Sequence, residues 1–136
     1  RGQVYVSITY GMAQIDMKTD KFTYITHQES HGYKDGTLAD SEWYWSTGLT
    51  MLLNDTLIVA DANNDKLRVI DLLSNNVSTW CFNNTESSKP CSIRRPVPVH
   101  IYNCALYFGV YGRIARLKLP QWACAEAVTT DLATSR

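Results

Sequence analysis

One pattern occurs three times along the 136 residues, and it restricts the chain more than any other feature. Each copy is a short apolar strand, a polar turn, a second apolar strand ending in an aliphatic residue, a second turn and a third strand. The first copy runs Val4-Tyr5-Val6-Ser7, then Met12 to Asp16, then Phe22 to Ile25. The second runs Leu57 to Asp61, Leu67 to Asp71 and Val77 to Trp80. The third runs Leu106 to Val110, Ile114 to Leu117 and a weaker strand near Trp122 to Val128. The copies begin at residues 4, 57 and 106, so they recur after 53 and 49 residues. Recurrence at a fixed period of this size is the mark of a repeat architecture.

Where sequence exists upstream, each copy is preceded by one more strand: Gly48 to Leu52 before the second, Val97 to Ile101 before the third. Four short antiparallel strands per repeat make a propeller blade. The turns agree. Asn54-Asp55 sits between two strands as a tight connection, and Asn63-Asn64-Asp65 tolerates left-handed backbone angles. No segment keeps a helical period. The chain therefore reads as all-β, a β-propeller arc of about three four-stranded blades. It divides into a partial blade over 1–31, a blade over 32–80, a blade over 81–128 and a polar tail over 129–136.

The second copy, Thr56 through Asp71, resembles the NHL repeat, with Lys66 and Leu67 where that family usually has Arg and Ile. The upstream loop from Gly32 to Leu49 is similar to the family's loop between blades, with Ser46 in place of its usual Pro. The match is strong over 32–71. Elsewhere it rests on Val4-Tyr5-Val6, Ile15-Asp16, Leu106-Tyr107 and Gly112-Arg113-Ile114. The resemblance implies an NHL-type propeller. It implies no single activity, because such propellers include sensor domains, binding modules and a few enzymes.

Propellers usually close with about 4–8 blades. An arc of three leaves flat apolar faces uncovered, so the chain is expected to be incomplete on its own and to need partners. Copies of itself could close a ring, other segments could complete it, or arcs could join head to tail as a filament.

Three Asn-x-Ser/Thr sequons, at Asn54, Asn76 and Asn83, fall in polar turn-like sequence. They point to N-linked glycans and to a secreted, extracellular protein. Cys81, Cys91, Cys104 and Cys124 are an even set without a C-x-x-C pair, which argues against a zinc ribbon. Four cysteines allow three pairings. The blade layout favours Cys81–Cys91, across the crossover, and Cys104–Cys124, whose positions fall at one end of the third blade.

Lys plus Arg and Asp plus Glu number 13 each, so no net field recruits nucleic acid. No apolar run reaches the roughly 20 residues of a membrane helix. The chain opens directly in strand-like sequence and reads as a mature or trimmed segment. His27 and His31, with Glu29 and Asp35, are residue types that bind metal, but the HExxH motif is absent and loop residues are the simpler reading. Asp16, Asp61 and Asp71 recur at strand ends, where carboxylates accept turn N–H groups. No nucleophile elbow or phosphate loop is present. No cofactor and no catalysis are expected. Possible ligand or partner contacts are the aromatic run Trp43, Tyr44, Trp45 and the basic pair Arg94-Arg95, near Arg113 and Arg116. The aromatics suit sugar stacking or a partner anchor, and equally a core plug. The leading expectation is an extracellular glycosylated module acting in assembly or binding, including as a component of a fibre or matrix. The alternatives are a lectin-like or ligand-binding propeller and a fragment of a secreted NHL-type metal-dependent enzyme.

Overall fold

The structure, a computed structural model, describes residues 2–26, 29, 31–53, 55–81 and 92–124, without the side chains of Pro98 and Val99. It is all-β, as expected, and its strands form three antiparallel sheets in chain order. The first holds β1 (Gln3–Ile8), β2 (Gly11–Asp16) and β3 (Lys21–Tyr24). The second holds β4 (Gly36–Thr37), β5 (Ser46–Leu52), β6 (Thr56–Asp61), β7 (Lys66–Asp71) and β8 (Asn76–Thr79), in the order β4-β8-β7-β6-β5. The third holds β9 (Pro96–Tyr102), β10 (Ala105–Val110) and β11 (Arg113–Lys118). A single 3-10 turn, Ala62–Asn64, joins β6 to β7, and Asp65 leaves it with a left-handed φ of 56°.

The sheets pack face to face through alternating side chains. Leu57 and Val59 of β6, with Ile70 and Val77, meet Met12 and Tyr5 of the first sheet around the buried Trp43. Leu52, Ile58, Ala60 and Leu67 look the other way, onto Leu106 and Phe108 of the third. The repeat holds residue by residue. Leu106 and Phe108 stand at the positions of Leu57 and Val59 in register, and each pair packs on the sheet before it. In the same register Tyr102, Tyr107, Gly109 and Ile114 occupy the positions of Leu52, Ile58, Ala60 and Leu67. The second set is covered by the third sheet, whereas Ile114 is 82% exposed.

Two expectations change. The weak outer strand near Trp122 to Val128 is replaced over residues 121–124 by one helical turn, with the Ala123 N–H donating to the Pro120 carbonyl at 2.9 Å. Proline lacks the N–H a strand ladder needs and is well suited to the first turn of a helix. The rest of that segment lies outside the described residues. Second, the inner sheet gains a two-residue strand, β4, paired to β8 through Gly36↔Val77 and Thr37↔Asn76.

Gly11 opens β2 with a φ of 139°, in a region that favours glycine. A side-chain carbon there would collide with the hydroxyl of Thr26 and approach the Trp43 ring. The Thr26 Oγ1 accepts the Met12 N–H at 2.9 Å, which ties the end of the first sheet to its second strand.

Candidate functional site: the strand-end surface around Trp45 and Arg95

A buried ionic hub supports this end of the fold. Arg68 and Asp61 are both 0% exposed and are paired at 2.9 Å. The guanidinium also reaches Asp35 at 2.8 Å and donates to the backbone carbonyls of Lys34 and Glu42, each at 2.6 Å. Its flat face lies 4.1 Å from the centre of the Trp43 ring, a stacking geometry that suits arginine. The Trp43 indole N–H donates to the Ser41 hydroxyl at 2.8 Å. Asp61 completes the hub by accepting the Tyr44 N–H and the Asn64 amide, each at 2.8 Å. Burial pushes the Asp61 carboxyl above its ordinary value, against the Asn64, Tyr44 and Arg68 contacts that favour its charge. Asp71 and Asp16 accept turn N–H groups, from Leu73 and Ser74 and from Lys18 and Thr19. Asp16 and Asp71 thus hold turns, as read from the sequence, while Asp61 serves the ion pair with Arg68 instead.

The hub fixes the backbone on which the candidate contacts sit. The Trp45 N–H donates to the Thr9 carbonyl at 2.6 Å, and its own carbonyl accepts the Ala62 N–H at 3.2 Å. The Asn63 N–H donates to the Tyr44 carbonyl at 3.1 Å. So held, Trp45 has a φ of 61° and its side chain is 54% exposed. Arg95 stands at the equivalent place, just before β9 as Trp45 stands just before β5, and it too is left-handed, with a φ of 45°. The Arg95 N–H donates to Asp65 Oδ1 at 2.8 Å, and its guanidinium reaches Asn63 Oδ1 at 3.4 Å. Tyr44 stacks on His31 at 4.4 Å, and Tyr10 flanks the same histidine at 6.2 Å. Arg94 lies over the exposed Tyr111 ring at 4.8 Å. Tyr10, Asn63 and Tyr111 belong to the β1–β2, β6–β7 and β10–β11 connections, which repeat one another. All these side chains therefore share one end of the sheets.

Trp43 is removed from the candidate contacts. It is 0% exposed, clamped between the hub and the apolar core, and no ligand can reach it. Tyr44, Trp45, Arg94 and Arg95 remain at the surface. Sequence reading missed Arg68. Leu67 and Arg68 point to opposite faces of β7 and both are buried, because the second sheet is covered on both sides. Asp35, considered as a metal ligand, is spent on Arg68 and on the Thr79 hydroxyl. His27 lies outside the described residues, among which no group of three His, Cys, Asp or Glu is placed to hold a metal.

Of the sequon asparagines, Asn76 is exposed at the start of β8, while Asn54 and Asn83 lie outside the described residues. Cys81 is disulfide-bonded, and Cys91, its expected partner, lies outside them too. Cys104 and Cys124, the other expected pair, are free thiols in one apolar cluster. No described helix is long and apolar enough to cross a membrane.

No family model and no curated protein matches the chain. Among solved structures it is similar to an auxiliary nutrient binding protein from Bacteroides ovatus, at 14% identity and a TM-score of 0.65, over 86% of this chain and 35% of that one. It is also similar to an auxiliary nutrient binding protein from Bacteroides thetaiotaomicron, at 11% identity and a TM-score of 0.62, over 85% of this chain and 35% of that one. At such identity the likeness is one of fold. The chain spans about a third of the length of each.

Proposed function

We propose that this chain is part of a secreted, N-glycosylated NHL-type propeller that binds a ligand through its strand-end surface and performs no chemistry of its own. The observation that carries the reading is the contrast between Trp43 and Trp45. One is wholly buried, and its neighbour two residues on is turned outward by a left-handed backbone hydrogen-bonded on both sides. A large aromatic presented rigidly to water invites stacking, and sugar rings stack well on such faces. Arg95 and Asn63 beside it supply donors and an acceptor for hydroxyl or carboxylate groups. The two similar solved structures described as nutrient-binding support a binding role. Exposed Asn76 suits a glycan, and the Cys81 disulfide suits an oxidising compartment.

Glycan-array binding by the parent chain and by Trp45→Ala tests the proposal. Binding by the parent and its loss in the variant are expected. Equal binding by both, or no glycan bound by the parent, sinks the sugar reading.

A second role, assembly, is favoured by the uncovered equivalents of a covered face. Tyr102 and Ile114 are 69% and 82% exposed, at positions where Leu52 and Leu67 are sealed by the next sheet. A further sheet packed there, from another copy or another segment, continues the stack toward a closed ring or an open filament. Native light scattering on the purified chain separates these. A discrete dimer means two arcs in one ring, a very large polydisperse mass means open growth, and a clean monomer rejects self-assembly.

A further inference from the structure

We propose that Cys104 and Cys124 are a cross-linking site, in which oxidation of the two adjacent thiols locks the helical turn after β11 onto the β9–β10 turn.

The local backbone explains why these two sulfurs meet. β9 ends at Tyr102 and β10 begins at Ala105, with Tyr102↔Ala105 the last pair of the ladder. The two-residue turn between them has a φ of 45° at Asn103 and 57° at Cys104, both left-handed. Such turns favour Asn followed by Gly. Asn103 follows the preference. Cys104 occupies the position where glycine is cheapest, so the side chain is held there against the backbone's preference. The Leu119 N–H then donates to the Cys104 carbonyl at 2.9 Å, which brings the chain leaving β11 back to this turn. Pro120 starts the helical turn, and that turn carries Cys124 inward, to 7% exposure, in the same apolar cluster as Leu119, Ala123 and the side of Cys104. The Cys124 thiol lies 4.0 Å from the Leu119 carbonyl, on the same residue whose N–H binds Cys104, and Cys104 packs against the cluster that holds it.

The chemistry is thiol–disulfide exchange with an external disulfide such as oxidised glutathione. Cys104 is the more exposed thiol, so its thiolate attacks first, forming a mixed disulfide and releasing one reduced thiol. The Cys124 thiolate then attacks the Cys104 sulfur and releases the second. The two cysteine protons pass to the two departing thiolates, and two protein thiols become one disulfide as one external disulfide becomes two thiols. The neighbouring Cys104 and burial both raise the Cys124 thiol, so it is the less reactive of the two toward the external disulfide and Cys104 enters the exchange first. The link has a structural purpose. In the second sheet β8 closes the outer edge of β7 through a ladder. Among the described residues β11 has no such strand beside it, and a covalent tie holds the following segment instead.

The sequence makes the test clean. Trypsin releases Cys81 and Cys91 together in the peptide 69–94, because Lys89 precedes a proline, and it releases Cys104 in 95–113 and Cys124 in 119–136. The purified, deglycosylated chain is equilibrated with oxidised glutathione, quenched in acid, alkylated without reduction and digested. The expected product is the 95–113 peptide joined to the 119–136 peptide, with neither cysteine alkylated. Alkylation of both Cys104 and Cys124, or a link from either peptide to 69–94, overturns the proposal. In a Cys124→Ser variant the 95–113 peptide must appear alone, with Cys104 alkylated or carrying glutathione. Its capture by 69–94 instead counts against a dedicated pair.

Discussion

The guanidinium of Arg68 lies 4.1 Å from the Trp43 ring centre and binds the Lys34 and Glu42 carbonyls, so one buried cation links the second sheet to the segment that precedes it. Replacing Arg68 with Met leaves Asp61 charged and buried. Breaking a buried ion pair in this way costs about 3–5 kcal/mol, read as a lower midpoint in urea denaturation at neutral pH. Burial already raises the Asp61 carboxyl. Without its cation it takes a proton more readily still in the folded state, so the deficit should shrink as pH falls. The double variant Arg68→Met/Asp61→Leu should recover a large part of the loss.

Trp43 and Trp45 should separate stability from binding. Trp43→Ala removes a fully buried ring and its contact with Arg68, a loss of roughly 3–5 kcal/mol. Trp45→Ala should leave the thermal midpoint within a few degrees of the parent and abolish ligand binding. Differential scanning fluorimetry beside the glycan array reads both properties. A stable Trp43→Ala protein would contradict the core assignment.

Acid sensitivity should include the turn carboxylates. Asp71 is held below its ordinary value by Ser74 and Leu73, and Asp16 by the Lys18 N–H, Gln3 and Thr19. A carboxyl lowered by folding contributes stability that is fully present above its unfolded value near 4 and is lost as pH falls through the lower folded value. The midpoint of Asp71→Ala should therefore lie below the parent's at pH 7 and approach it below pH 3. A constant offset across that range would mean that the carboxylate charge is irrelevant.

If Cys104 and Cys124 link, the oxidised chain gains from closing a loop of about 20 residues, worth about 3 kcal/mol in the chain-entropy account. Comparison of the parent with Cys104→Ser/Cys124→Ser, both carrying the intact Cys81 disulfide, measures it by denaturant unfolding.

The strands were legible because apolar alternation, turn residues and a three-fold recurrence all agreed over 3–8, 46–52, 56–71 and 96–118. The roles of Asp16 and Asp71 were legible because strand-end carboxylates commonly accept turn N–H groups, whereas Asp61 departs from that use and pairs with Arg68. Arg68 was hidden because its burial depends on partners 26 to 34 residues away, at Glu42, Asp35 and Lys34, which no local pattern reveals. Trp43 and Trp45 could not be told apart because their difference lies in a backbone angle imposed by Thr9 and Ala62. The 121–124 turn was misread as strand because Trp122 and its apolar neighbours outweighed Pro120 in the pattern.

Arg68 also has a consequence for the order in which the molecule comes apart. The carbonyls it binds, at Lys34 and Glu42, lie on either side of β4 on the connection that leads into β5, and Asp35 on that connection accepts from the Thr79 hydroxyl at the end of β8. That connection is therefore tied to the second sheet by charge and is released only when β7 is. Its amides should exchange with solvent water together with those of β6 and β7, as one cooperative unit. The first sheet, attached mainly through Met12, Tyr5 and the Thr9 carbonyl, can detach alone. The unit that melts as a whole is thus the segment 32–80, closed by charge as well as by its strand ladders.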